Sequence, residues 1–174
     1  MPADADTLRE LFATGLRNAH AVEKQALAIM TPQVARIENY PEVADRLRAH
    51  IEETKGQIAR LDEIMATFDT SGSMLKDVAL GLSGSMAAMM HTPAGDEIIK
   101  NSFANYAFEH FEIAAYRSLL VMAEDGGLAQ AMPLLQQSLG EEERMAQWIG
   151  DSLPMVTRRY AELYATEGSF GAKV

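Results

Sequence analysis

At 174 residues, 48% of them hydrophobic, the chain is long enough for one domain with a sizeable core and too apolar for global disorder. A formal net charge of −10 disfavours nucleic-acid binding, which depends on neutralising phosphates with Lys and Arg. The chain has no cysteine, which excludes disulfides, thiolate metal sites and iron–sulfur clusters.

No apolar run approaches the roughly 20 residues that cross a bilayer, so no membrane association is expected. The opening Met-Pro-Ala-Asp-Ala-Asp lacks the basic and apolar regions of a signal peptide, so the cytoplasm is the expected compartment. A single domain over 1–174 is expected, with its core at about 6–165 and a frayed tail from Gly168.

Apolar residues recur at helical spacing almost throughout. The first helix runs from about Asp6 to the high thirties, through Leu8, Leu11, Phe12, Leu16, Val22, Ala26, Ile29 and Met30, with Pro32 as a candidate kink. Asn39-Tyr40-Pro41 marks a turn, and Pro41 suits the first position of a second helix. Its stripe is Val43, Leu47, Ile51, Ile58, Leu61, Met65 and Phe68, ending at Thr70-Ser71-Gly72-Ser73.

Residues 74 to 92 are rich in Met, Gly and Ala, and read as a crossover of one or two short helices. Their methionines are better explained as flexible core filling than as soft-metal ligands, because only His91 accompanies them. Thr92-Pro93 opens a third long helix that stops at Gly126-Gly127. A fourth runs from about Leu128 past Ile149, with possible bends at Gly150 and Pro154. Two helical hairpins joined by one long crossover make an all-α, ferritin-like four-helix bundle.

Carboxylates interrupt the apolar stripes. Glu23 and Glu53 lie thirty residues apart, as do Glu112 and Glu142, and the midpoint of each pair falls at a turn signal. Partners in each hairpin therefore reach the same height in the bundle. Glu23 sits within Phe12, Leu16, Ala19, Ala26 and Met30. Glu112 sits within Phe108, Ala115, Leu119 and Met122, and Glu142 within Leu135, Leu139, Ala146 and Ile149. Glu53 is less clear, because its neighbours at those steps are Ala49, His50, Gly56 and Gln57.

One unpaired buried carboxylate costs several kcal/mol or more, and four together also repel. Protonation, pairing with a base or ligation to cations could each resolve this. Arg46 and Arg60 flank Glu53 and could pair with it. Two divalent cations would balance four carboxylates. Further ligands lie one turn away on the same faces: His50 before Glu53, Glu109 before Glu112 and His20 before Glu23, with His20 equally suited to a supporting hydrogen bond. Gln57 and Tyr116 flank the set, His110 falls off the face, and Glu141 and Glu143 read as a solvated face around Glu142. Such an oxygen-rich set favours iron or manganese over zinc.

Several segments resemble one family. Leu8-Arg9-Glu10-Leu11 with Ala21-Val22-Glu23-Lys24-Gln25 is similar to the first helix of the YciF-type stress proteins, a ferritin-like family. His50-Ile51-Glu52-Glu53-Thr54-Lys55-Gly56-Gln57-Ile58 resembles the second helix, and Leu139-Gly140-Glu141-Glu142 the fourth. The most specific match is Glu109-His110-Phe111-Glu112-Ile113-Ala114-Ala115-Tyr116, which resembles the third. The resemblance spans roughly residues 7–150. It implies a homodimer with a di-metal centre held by Glu23, Glu53, Glu109, Glu112 and Glu142, with His50. Two departures stand out: His20 where the family usually has tyrosine, and Ala146 where it often has an acidic residue.

Two functions are expected from these features. One is a stress-response oxidoreductase acting on Fe(II), dioxygen or peroxide, in the manner of a ferroxidase or manganese catalase. The other is a non-catalytic metal-binding protein that acts by sequestration or through a protein partner.

Overall fold

The computed structural model describes residues 4–68 and 95–172. The expected crossover, its methionine cluster, His91 and the Thr92-Pro93 helix start lie outside the described residues.

Among the described residues there are four long helices and no strand: α1 Ala5–Val34, α2 Pro41–Phe68, α3 Glu97–Asp125 and α4 Met132–Ala172. A short 3-10 turn, Ala129–Ala131, leads into α4. This is the all-α bundle the periodicity predicts. The side chain of Asp4 caps α1 by accepting from the Thr7 amide at 2.8 Å. Pro32 lies inside α1 without ending it, and Pro154 likewise lies inside α4. Gly127 takes φ 69° at the α3 exit, a conformation that glycine enters without steric cost.

Helix α1 packs on α2 and α3, and α4 packs on α3 and α2. The other two pairings are the diagonals of the bundle. Gly15 lets α1 and α3 approach closely, because a Cβ there would sit 2.8 Å from Leu119 Cδ2.

The core has two apolar parts. One gathers Ala26, Ile29, Met30, Val43, Leu47, Ile51, Ile98, Phe108, Met145 and Ile149. The other gathers Phe12, Leu16, Ala19, Leu61, Met65, Tyr116, Leu119 and Leu135. On every helix a group of buried polar residues falls between these parts: Glu23 on α1, His50 and Gln57 on α2, Glu109 and Glu112 on α3, Glu142 on α4; the buried Gln33, Glu97 and Asn105 lie outside it, toward one end of the bundle. The bundle is two apolar plugs around a polar belt. Because each plug takes residues from all four helices, the belt residues are held by packing on both sides.

The tail differs from expectation. Helix α4 breaks at Gly168 (φ 72°), yet Gly171 and Ala172 beyond it dock instead of fraying. The Tyr40 hydroxyl donates to the Ala172 carbonyl at 2.6 Å, and Asn39 Nδ2 donates to the Gly171 carbonyl at 2.8 Å. The α1–α2 turn thus holds the end of α4, an attachment that local sequence does not signal.

Candidate metal centre

His50, Glu109 and Glu142 are buried, and each offers a ligand atom within 4.8 Å of those of the other two. The His50 ring points Nε2 into this group, 3.1 Å from Glu109 Oε2 and 3.6 Å from Glu142 Oε2. Its other nitrogen, Nδ1, is 2.9 Å from Glu53 Oε2. A carboxylate on one imidazole nitrogen orients the other, as it does behind metal-binding histidines generally.

Glu23 and Glu112 complete the belt; each is at most 2% exposed. Glu23 Oε1 accepts from the Tyr116 hydroxyl at 2.6 Å across the α1–α3 interface. Gln57 Nε2 donates to Glu142 Oε1 across the α2–α4 interface. These two side chains, flanking residues in the sequence, fix one oxygen each of two carboxylates.

Glu53 is placed differently from its helical equivalents. Its side chain is 28% exposed, and its Oε2 accepts from Arg46 Nη1 at 2.9 Å as well as facing His50. Spacing puts it at the right height, but it stands at the rim of the belt, outside the converging trio. Arg60, the other base considered for Glu53, turns away to Ser138 and Glu141. Glu141 is therefore buried and paired, which corrects its reading as a solvated residue; Glu143 is exposed as expected. His20 is buried with Nε2 3.0 Å from Asp62 Oδ1. It joins α1 to α2 beside the centre and does not enter the cluster. The buried Thr54 was not legible as part of this belt, since it does not lie on a carboxylate spacing, nor was the half-exposed Asp62 legible as the partner of His20.

Burial dominates the electrostatics. It lifts the Glu23 carboxyl to about 8, against the opposing hydrogen bond from Tyr116. It also holds Glu112 and Glu142 well above the ordinary carboxylate range, and the charges of neighbouring glutamates add to the effect. For His50, burial disfavours the imidazolium, but Glu109 and Glu53 outweigh it and raise the ring to about 9. Glu53 is lowered to about 2, chiefly by its hydrogen bond with His50 and then by Arg46. The belt thus has more carboxylates than its one imidazole and two hydrogen-bond donors can serve.

The unserved atoms are specific. Glu23 Oε2, Glu112 Oε1 and Oε2, and Glu142 Oε2 are buried and have no hydrogen-bond partner, while His50 Nε2 and Glu109 Oε2 face each other as an ion pair without hydrogen-bond geometry. Native interiors leave few such atoms, and each calls for an explanation. A divalent cation supplies one, because it accepts lone pairs where a hydrogen bond would need a donor. The residues present fit a metal ion, with five oxygen donors and one nitrogen.

The comparisons with known proteins agree with this architecture. Residues 7–162 match the family model described as a domain of unknown function, DUF892. The chain belongs to this family. The YciF protein of Escherichia coli K12 is 29% identical over 141 residues, covering 79% of this chain and 84% of that protein. A solved structure of a Xanthomonas campestris protein superposes with a TM-score of 0.73 at 31% identity, covering 90% of this chain and 97% of that one. The crystal structure of the E. coli stress protein YciF superposes with a TM-score of 0.67 at 23% identity, over 84% and 94% of the respective chains. Among the described residues this family member has helices and no strand, and no described helix is long and apolar enough to cross a membrane.

Proposed function

We propose that this protein is a di-metal carboxylate protein of ferritin type, in which Glu23, His50, Glu109, Glu112 and Glu142 hold two divalent iron or manganese ions. The observation that carries the reading is the set of six buried donor atoms in one belt that no hydrogen bond satisfies, whose carboxylate oxygens face either no described base within ion-pair distance or only His50. Known di-metal bundles likewise draw carboxylates and histidines from all four helices. Glu53 acts behind His50 in this reading, as the carboxylate that fixes the ring, and is not itself a ligand.

The bound ions would supply Lewis acidity and one-electron redox chemistry toward dioxygen or peroxide. The protein's own residues set the conditions for it. Glu53 and Arg46 hold the His50 ring. Tyr116 holds Glu23, and Gln57 holds Glu142. The apolar plugs above and below exclude water and keep the carboxylates from rearranging. The relation to a stress protein supports oxidation of Fe(II) or consumption of peroxide as the activity. We place it in a cytoplasmic homodimer. The near-complete burial of the five ligands favours a second reading, sequestration without turnover.

The test is metal analysis of protein expressed with iron and manganese supplied, followed by Fe(II) and peroxide turnover on the same sample. About two metal ions per chain, lost in the Glu23→Ala/Glu112→Ala double variant, is the expected result. Turnover then selects oxidation, and its absence selects sequestration. A chain that takes up no metal, and whose stability a chelator leaves unchanged, would refute the centre altogether.

A further inference from the structure

The five proposed ligands are sealed, so a cation needs a way in. Glu53 is the one member of the wider set that reaches solvent, and it is also the one that touches His50 from outside. It lies on the wall of a groove of about 760 Å³ between α2 and α4, together with Arg46, Gly140, Arg144, Trp148 and Asp151. Its Oε2 is 2.9 Å from His50 Nδ1, and His50 Nε2 is 3.1 Å from Glu109 Oε2. Groove, rim carboxylate, imidazole and buried cluster form one continuous series.

The groove is open because of what its walls lack. A Cβ on Gly140 would meet only the tip of Arg144, at 3.4 Å. Mid-helix glycines weaken a helix, and close backbone approach is their usual justification. Here only the Arg144 tip approaches, so Gly140 leaves space on the α4 wall of the groove. The groove on the neighbouring α3–α4 face is smaller, about 260 Å³, and is lined by Ile113 and Ala146 but by none of the candidate ligands.

We propose that the α2–α4 groove is the path by which divalent metal ions reach the centre. Glu53 is the carboxylate that receives the cation, and Arg46 holds Glu53 against His50 between arrivals. Three carboxylates, Glu53, Glu143 and Asp151, and two guanidiniums line the groove. A cation moving inward exchanges hydrating water for carboxylate oxygen at Glu53 before it meets the His50 ring. This inference rests on the metal-centre reading above.

The test is the rate of Co(II) uptake by the metal-free full chain in stopped flow, alongside the amount bound at equilibrium. Gly140→Phe and Asp151→Trp fill the groove from two positions, neither of them a ligand. Each should slow uptake by about tenfold or more, the low end of what a charged cleft adds to an association rate, with the final amount unchanged. His110→Trp, on the α3–α4 face, should leave the rate unchanged. Uptake at the wild-type rate in both groove variants overturns the path. So does a slowing produced by His110→Trp alone, or a reduced final amount at an unchanged rate. Wild-type protein that binds no Co(II) at equilibrium overturns the centre itself, so failure of the path appears in the rate and failure of the centre in the amount.

Discussion

The Tyr116 hydroxyl on α3 donates to Glu23 Oε1 on α1 at 2.6 Å, with both residues 1% exposed. It is the only hydrogen bond that Glu23 makes among the described residues, and it leaves Oε2 free toward the belt. Tyr116→Phe keeps the packing and removes the donor. An unpartnered buried acceptor costs roughly 1–3 kcal/mol, which is the expected loss of stability for the metal-free protein in urea unfolding. Metal affinity should fall about 10- to 100-fold, as when outer hydrogen bonds to a ligand are removed. Unchanged affinity would show that Tyr116 does not position Glu23 for metal.

Glu112 has no hydrogen-bond partner on either oxygen and is buried. In the metal-free bundle it is a defect, so Glu112→Leu, of similar size, should raise stability by about 1–3 kcal/mol, the cost of leaving such a group unsatisfied. The same variant should lose metal and should no longer be stabilised by adding it. Chemical denaturation with and without Mn(II) separates the two effects. A variant less stable than wild type when both are metal-free would mean that Glu112 has a structural partner that the described residues do not reveal.

The perturbed groups set opposite pH trends for the two forms. Glu23 rises from 4.5 to about 8 on folding, so between those values the metal-free native state holds a proton that the unfolded chain releases. Its stability therefore falls as pH rises through that window. Glu112 and Glu142 are shifted the same way. His50, raised from 6.5 to about 9, stabilises most below 6.5 and loses its contribution as pH rises to about 9. Glu53, lowered from 4.5 to about 2, works on the acid side, where its contribution is lost as pH falls below 4.5. Metal-free protein should thus be most stable in mildly acidic solution. Metal competes with the same protons, so the metal-loaded protein should gain on it as pH rises, and should release metal by about pH 4. Melting curves of both forms across pH check this; metal content that stays constant down to pH 4 would count against carboxylate ligation.

Periodicity was enough to identify four helices and to mark the faces around Glu23, Glu112 and Glu142 as buried, because a helix face is a local property fixed by its pitch. The third-helix pair Glu109 and Glu112 was legible for the same reason. Glu53 shows where that reasoning stops. Its spacing from Glu23 gives the height, but residues three apart share a helix face, separated by only about 60°, so spacing alone does not say that His50 turns fully inward while Glu53 stops at the rim beside Arg46. The neighbours of Glu53 at helical steps (Ala49, His50, Gly56 and Gln57) leave its face undecided. Glu141 was misread for a related reason: Arg60, its partner, comes from another helix.

By itself, the sequence determined the helices, the hairpin pairing, the excess of buried carboxylate and the family resemblance, since all of these follow from residue type and spacing along the chain. Only the tertiary structure decided which of those carboxylates face one another. That depends on the rotation and register of α1 to α4 against each other, set by two apolar plugs built from residues distant in sequence. The same packing decided that His50 faces Glu109 and Glu142 while Glu53 stays at the rim. It also decided that Tyr40 holds the end of α4. Each of these is a contact between segments distant in the chain, and helix pitch alone carries no information about the neighbour.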